Sequence, residues 1–139
     1  MVHQIIYTSA AKEGAALEDF REIARHSAQN NQTLDVTGIL LFFESNIMQV
    51  IEGEQAIVET LFNRIKHDDR HSAVTLLVSR ATEKREFQSW SMGFSEVGLD
   101  DANQLAFLLN RTNLLKALPD NPSKELDVLT RTYARVSGF

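Results

Sequence analysis

Two neighbouring apolar segments constrain the fold of this 139-residue chain more than any other feature. Residues 37–43, Thr-Gly-Ile-Leu-Leu-Phe-Phe, form the continuous apolar run that is typical of a central strand buried on both faces. Residues 44–46 predict a turn, and residues 47–52 return as the partner strand of a hairpin. The hairpin therefore predicts a sheet at the centre of the fold, and its second strand carries a polar side chain, Gln49, among apolar neighbours.

The position of Gln49 raises a problem of burial. Because side chains alternate along a strand, Gln49 shares its face with Ile47 and Ile51, while Met48 and Val50 point the other way. An unpaired buried amide costs about 1–3 kcal/mol. We therefore expect Gln49 to hydrogen bond with a polar neighbour in the core, a buried water or a bound ligand.

The rest of the hydrophobic pattern predicts an α+β fold. Strand-like segments lie at 4–9, 74–79 and 87–94, and amphipathic helical segments lie at 14–30 and 55–67. Together with the hairpin they give the order of a ferredoxin-like βαββαββ sandwich, a five-stranded mixed sheet with two helices on one face.

The C-terminal part of the chain predicts two further helices. One covers residues 101–109, residues 119–122 (Pro-Asp-Asn-Pro) interrupt the pattern, and the second helix covers 123–136 with Ser123 as its N-cap. We expect these helices to cover the open face of the sheet or to form a subunit contact.

Composition excludes several classes of function. The net charge is −5, which gives no basic footprint for nucleic acid. The chain contains no cysteine, and its four histidines are scattered, so we predict neither a disulfide nor a metal site. It has no signal-peptide pattern at the N-terminus and no apolar run close to the ~20 residues that span a bilayer. These features predict a cytoplasmic protein without a membrane segment.

Four residues attract attention because they are polar or polarisable at positions that look buried. Tyr7 is in phase with Ile5 on the first strand, and Trp90 and Met92 are in phase on the last. Taken singly, each has an ordinary explanation: Tyr7 as a core tyrosine bonded to a backbone carbonyl, Gln49 as a satisfied core amide, and the other two as core filling. Taken together with Asn30 and Asn31, which singly read as a helix C-terminal signal, the amide of Gln49, the phenol of Tyr7 and the sulfur of Met92 lie on elements that can converge.

Five short motifs in a fixed order closely resemble the BLUF family, the blue-light sensors that use FAD. The resemblance covers roughly residues 3–97, and the motifs are Tyr7-Thr8-Ser9, Asn30-Asn31 six residues before Thr37-Gly38, Gln49-Val50-Ile51-Glu52-Gly53, Asp69-Arg70-His71-Ser72 and Trp90-Ser91-Met92. It implies a flavin-binding domain over residues 1–97 and a C-terminal helical extension of the same domain over 98–139.

The resemblance also implies the photoactive residues. Tyr7 would donate an electron and a proton to the excited flavin, and Gln49 would lie between the Tyr7 hydroxyl and the flavin N5 and C4 carbonyl. Light would change the tautomer or rotamer of Gln49, whose amide carries both a donor and an acceptor. Met92 would line the ring beside Gln49, and Trp90 would report or transmit the switch.

Further flavin contacts follow from the same resemblance. Asn31 would bind the edge of the ring by amide pairing, with Asn30 nearby, and Arg64 would contact the ring or the phosphates. Asp69 and Arg70 belong to the same set, with Arg70 a second source of charge-assisted bonds. The cofactor implied is FAD, with FMN or riboflavin as alternative flavins.

The resemblance implies a photoreceptor and not an enzyme in the turnover sense. Output would pass to a partner protein or through the chain's own assembly as a homo-oligomer. Two alternatives stay open at this point. One is a small ferredoxin-like acyl-phosphate hydrolase, for which residues 9–14 are a poor phosphate loop. The other is a regulatory ligand-binding module that does not respond to light.

Overall fold

A computed structural model of the chain describes residues 1–11, 33–43, 46–69, 71–87 and 121–136. The predicted helices 14–30 and 101–109, and the predicted last strand apart from its first residue, lie outside the described residues. None of the helices in the described ranges is long and apolar enough to cross a membrane.

Four antiparallel strands form the described sheet. They are β1 (Val2–Ala11), β2 (Thr37–Phe43), β3 (Asn46–Gly53) and β4 (His71–Thr82), and their order in the sheet is β2-β3-β1-β4. Each described pair is antiparallel, β3 with β1, β1 with β4 and β2 with β3. The α+β class and these four strands are confirmed. The fifth strand, which would make the sheet mixed, belongs to the residues that are not described.

The position of β2 tests part of the hairpin prediction. Its apolar run predicts a central strand buried on both faces; among the described strands β2 lies beside β3 at one end of the order, and its central position stays a prediction because the predicted fifth strand lies outside the described residues. Residues 37–40 are nevertheless buried, including Ile39 and Leu40, whose side chains point to opposite faces. The continuous apolar run therefore correctly indicated a strand that is covered on both faces.

One face of the sheet is covered by helix α1 (Gln55–Lys66), which ends within one residue of its predicted limit. Val58 and Phe62 of α1 pack against Ile5, Tyr7 and Ile51 of the inner strands. Basic side chains lie in the last turn of α1, where they favour the helix dipole. This helix thus covers the face of the sheet that carries Tyr7 and Gln49.

The opposite face is covered by helix α2 (Lys124–Val136). Ser123 caps this helix, since the Leu126 N–H donates to Ser123 Oγ at 3.1 Å. Leu126 and Tyr133 of α2 belong to one core cluster with Ile6 and Phe87. We expected the two C-terminal helices to cover the open face of the sheet or to form a subunit contact; α2 packs on this face, and the other predicted helix lies outside the described residues.

Gly38 permits the close approach of β2 and β3. Its φ is +151°, and a Cβ atom at this position would lie 1.8 Å from the Val50 carbonyl oxygen. Only glycine fits such a position without moving the backbone. The strand that carries Gln49 is therefore held at its observed distance from β2 by the lack of a side chain at residue 38.

Candidate functional site

Tyr7 and Gln49 form a buried polar pair at the centre of the sheet. They face each other directly in the register of β1 and β3, so their side chains share one face. The Tyr7 hydroxyl donates a hydrogen bond to Gln49 Oε1. Tyr7 is 1% exposed and Gln49 is 3% exposed. Tyr7 is therefore a polar neighbour of the kind that we expected for Gln49. The ordinary explanation of Tyr7 proposed a bond to a backbone carbonyl, but its hydroxyl bonds to the side-chain amide of Gln49.

The amide nitrogen of Gln49 is left over. Tyr7 occupies the Gln49 oxygen, and within the described residues Gln49 Nε2 has no hydrogen-bond acceptor. A buried donor without an acceptor costs about 1–3 kcal/mol, and such groups are rare in native proteins. Gln49 Nε2 is therefore the atom at which a bound molecule with a hydrogen-bond acceptor would fit this face of the sheet.

Helix α1 fixes the environment of the phenol. The ring of Phe62 lies 5.4 Å from the ring of Tyr7, centroid to centroid, at a tilt of 51°. Lys66 Nζ lies over the same Phe62 ring, 5.7 Å from its centroid. Burial strongly raises the pKa of Tyr7, and the negative charge of Asp68 raises it further. The hydroxyl therefore stays protonated and keeps the proton that it donates to Gln49 Oε1.

The described structure brings together two of the predicted site residues, Tyr7 and Gln49. Arg64 is exposed in the last turn of α1, and Asp69 is exposed just after it. Within the part of the chain that the structure describes, neither side chain hydrogen bonds to Tyr7 or Gln49, and the roles of Arg64 and Asp69 stay predictions. The other predicted site residues lie outside the described residues: Asn30, Asn31, Arg70, Trp90 and Met92.

A second polar group was missed by sequence reasoning. Gln4 and Glu52, both 0% exposed, face each other on the same two strands as Tyr7 and Gln49, but on the opposite side of the sheet. The sequence feature that could have identified them is their position, because each is a polar residue inside an apolar strand and lies three positions from a site residue. Reading the pair required the register of β1 and β3, which the sequence does not provide.

Burial raises the pKa of the Glu52 carboxyl. Three hydrogen-bond donors oppose this effect: the N–H groups of Glu86 and Phe87, and then the amide of Gln4. The nearby Glu86 carboxylate acts in the same direction as burial. Burial thus disfavours the ionised form of Glu52, and the hydrogen-bond donors around the carboxyl stabilise that form.

These features define a class: an α+β domain that holds a polar site with an unused amide donor between a sheet and a helix. A family comparison makes the class specific. The model of the BLUF family, described as sensors of blue light using FAD, matches residues 2–93. The chain belongs to the BLUF family. The family cofactor is FAD, and the unused donor at Gln49 Nε2 fits it, because a flavin ring carries nitrogen and carbonyl acceptors along one edge.

Individual relatives agree with this assignment. The blue light- and temperature-regulated antirepressor BluF of Escherichia coli (strain K12) is 29% identical over 110 residues, which are 77% of this chain and 27% of that protein. Among solved structures, Klebsiella pneumoniae BlrP1 with FMN and cyclic diGMP is 32% identical with a TM-score of 0.62, over 66% of this chain and 25% of that one.

A relative of similar length is also known in structure. The ground state of BlsA has a TM-score of 0.64 and 26% identity, and the match covers 90% of this chain and 93% of that one. By contrast, the chain spans about a quarter of the Escherichia coli protein's length.

Proposed function

We propose that this chain is a blue-light photoreceptor whose switch is the hydrogen bond between Tyr7 and Gln49. The observation that carries the proposal is the buried Gln49 amide, with its oxygen bonded to Tyr7 and its nitrogen unused within the described residues. Membership of the BLUF family supplies the cofactor, FAD. A bound flavin would accept the unused donor and complete the network.

The chemistry of the switch follows from these two side chains. When bound, the flavin supplies the absorption of blue light and a transient electron acceptor. Tyr7 loses acidity in the dark through burial, so its proton stays on the hydroxyl until an electron leaves the phenol. An oxidised phenol is a strong acid, so its proton would move along the existing bond to Gln49 Oε1. A tautomerised or rotated Gln49 amide would have its donor and acceptor sides exchanged and would change the bonds that it makes. Return of the electron and of a proton to Tyr7 would restore the neutral phenol, so that the switch involves no net oxidation.

The same proposal assigns supporting roles to the remaining residues. Asn30, Asn31, Arg64, Asp69 and Arg70 would contact the flavin, and Met92 and Trp90 would lie beside or beyond Gln49. Residues 1–97 would form the flavin-binding domain. Residues 98–139 would be its helical extension, which the packing of Leu126 against Ile6 and Phe87 supports.

Output would pass to a partner protein or through assembly of the chain into a homo-oligomer. The Escherichia coli relative is named an antirepressor, and regulation of a second protein is the function that we propose here by analogy. In this view the domain itself turns over no substrate.

A lit-minus-dark absorption spectrum of the purified flavin-loaded protein tests the proposal. We expect a reversible red shift of the flavin band in blue light, because the rearranged amide would donate a stronger hydrogen bond to the ring. Tyr7→Phe and Gln49→Ala should each abolish the shift. Tyr133→Phe is the matched control, since Tyr133 is a buried tyrosine on the opposite face of the sheet.

Two results would contradict the proposal. One is a colourless protein after expression with ample flavin. The other is a red shift that survives both Tyr7→Phe and Gln49→Ala, because the switch would then lie elsewhere.

A further inference from the structure

Strands β1 and β3 carry two polar cross-strand pairs, one on each face of the sheet. Tyr7 faces Gln49, and three residues away along both strands Gln4 faces Glu52. The odd spacing places the second pair on the face that α2 covers. Gln4 Nε2 donates to Glu52 Oε2 at 3.2 Å, and neither residue is exposed to solvent.

Glu52 fastens the segment that follows β4 to the sheet. Its carboxylate accepts the N–H of Glu86 at 3.0 Å and the N–H of Phe87 at 2.8 Å. Phe87 in turn packs in the core cluster beneath α2 with Leu126. Charge-assisted bonds of this kind are roughly twice as strong as neutral ones. The backbone of residues 86 and 87 therefore follows any displacement of Glu52.

Glu86 continues the connection to the first turn of α2. Its carboxylate accepts the amide of Gln4 at 2.6 Å and the hydroxyl of Ser123 at 3.0 Å. It also accepts the backbone N–H of Ser123, the residue that caps α2. One side chain thus joins β1 to the start of the C-terminal helix.

Arg80 of β4 closes the group. Its Nε donates to Gln4 Oε1 at 2.9 Å, and its Nη2 donates to Ser123 Oγ at 3.0 Å. Its Nη1 forms an ion pair with Glu125 at 2.8 Å in the first turn of α2. We call the group of Gln4, Glu52, Arg80, Glu86 and Ser123 the back clamp.

We propose that the back clamp transmits the state of the Tyr7–Gln49 pair through the sheet to the first turn of α2. The inference rests on the proposed function, because it assumes that light changes the bond between Tyr7 and Gln49. Both polar pairs depend on the same register of β1 and β3, so a change in the spacing or twist of these strands at one pair reaches the other within three residues.

The polar groups of the back clamp are already hydrogen bonded to one another, so the clamp would move when one of its members is displaced. The Gln4 oxygen accepts one bond and its nitrogen donates two. Both oxygens of Glu86 are also engaged, with Gln4, Arg80 and Ser123 as partners. A shift of Gln4 or Glu52 must therefore either break a buried charge-assisted bond or move Glu86 and Ser123 with it. Moving the cap of α2 is the smaller change, since Ser123 is only half-buried.

Hydrogen–deuterium exchange of the full flavin-loaded chain, in darkness and in blue light, tests the proposal. In the unmodified chain we expect a light-dependent change of uptake in peptides that cover 124–136. Glu86→Gln keeps the shape of the side chain but places an amide donor among the donors of Gln4, Arg80 and Ser123. We expect dark uptake in the first turn of α2 to rise about tenfold or more in rate, and the light-dependent difference to be lost. The red shift of the flavin should remain.

Glu83→Gln is the matched control, because Glu83 is an exposed glutamate on the same segment. It should preserve both the red shift and the light-dependent uptake. If Glu86→Gln fails to fold, Ser123→Ala removes the hydroxyl that Glu86 and Arg80 bind and that also caps α2; dark uptake in the first turn of α2 should rise from loss of the cap, and the light-dependent difference should be reduced.

The outcomes separate the inference from the proposed function. A missing red shift in the unmodified chain contradicts the proposed function. The inference can then be tested in darkness alone. Gln49→Ala should alter deuterium uptake at 124–136, and this effect should vanish when Glu86→Gln is added; if Gln49→Ala has no effect, the inference is wrong. A red shift without light-dependent uptake at 124–136 overturns the inference alone. So does light-dependent uptake that survives in both Glu86→Gln and Ser123→Ala.

Discussion

The bond between Tyr7 and Gln49 makes a quantitative prediction about stability. Tyr7→Phe removes the hydroxyl but keeps the ring, so the contact with Phe62 at 5.4 Å is retained. The change leaves Gln49 Oε1 buried without its donor. The cost of such an unpaired group is about 1–3 kcal/mol. At this chain length we expect a fall in melting temperature of roughly 3–4 °C for each kcal/mol.

The origin of that cost can be isolated in a second background. Gln49→Leu is similar in volume and removes the acceptor altogether. In this background Tyr7→Phe no longer orphans an acceptor, and the Tyr7 hydroxyl is already without Gln49. The cost of Tyr7→Phe should therefore fall to near zero or become a gain, which gives a coupling energy of about 1–3 kcal/mol.

Urea unfolding followed by far-ultraviolet circular dichroism, at one fixed saturating concentration of flavin, measures all four chains of this cycle. Tyr133→Phe provides the control, because Tyr133 packs on the α2 face of the sheet. Its cost should be the same in both backgrounds to within about 0.5 kcal/mol. Equal costs of Tyr7→Phe in the presence and absence of Gln49 would refute the buried bond as the link between these residues.

Three further predictions concern the surroundings of the site. Gly38→Ala should lower the free energy of unfolding by more than about 3 kcal/mol in urea unfolding, because its Cβ would lie 1.8 Å from the Val50 oxygen; wild-type stability would contradict this. Burial raises the pKa of Glu52 above its ordinary value of 4.5, so the folded state holds that proton to higher pH than the unfolded state. Stability should then fall as pH rises from about 4.5 through the raised pKa, and Glu52→Gln should flatten this slope in unfolding curves taken across the range. Phe62→Leu should cost about 1–2 kcal/mol and slow or weaken the photoresponse by loosening Tyr7, measured as the yield of red-shifted flavin; an unchanged yield would show that Phe62 does not position the phenol.

The amount of the fold that was predictable depended on the range of the interactions involved. The alternation of Ile47, Gln49 and Ile51 is local, and it correctly placed Gln49 on a buried face. Helix α2 began after its predicted cap at Ser123 for the same reason, since a cap is set by residues three positions apart. Tyr7 was predicted to point inward from its phase with Ile5, and it does.

The way in which the strands assemble is less accessible from the sequence. The apolar run in β2 correctly indicated burial of both faces, but the order of strands is decided by distant contacts that such a run does not contain. The bond between Tyr7 and Gln49 joins residues 42 positions apart. The bond between Gln4 and Glu52 joins residues 48 positions apart, and a shift of one residue in register would place these side chains on the other faces. Sequence patterns identify such polar residues, but the register decides their partners.

The two faces of β1 and β3 differ in how completely their polar groups are satisfied, and this difference assigns them different roles. On the α1 side, Gln49 has an unused donor among the described residues, so the pair can offer a hydrogen bond to a ligand. On the α2 side, Gln4 uses its oxygen and both of its donor contacts, so that group is complete without one. An incomplete network changes its bonds when a ligand changes state, while a complete buried network resists rearrangement and moves as a unit. A sheet with the first kind of network on one face and the second on the other has the properties required to convert a local exchange of hydrogen bonds into displacement of a helix.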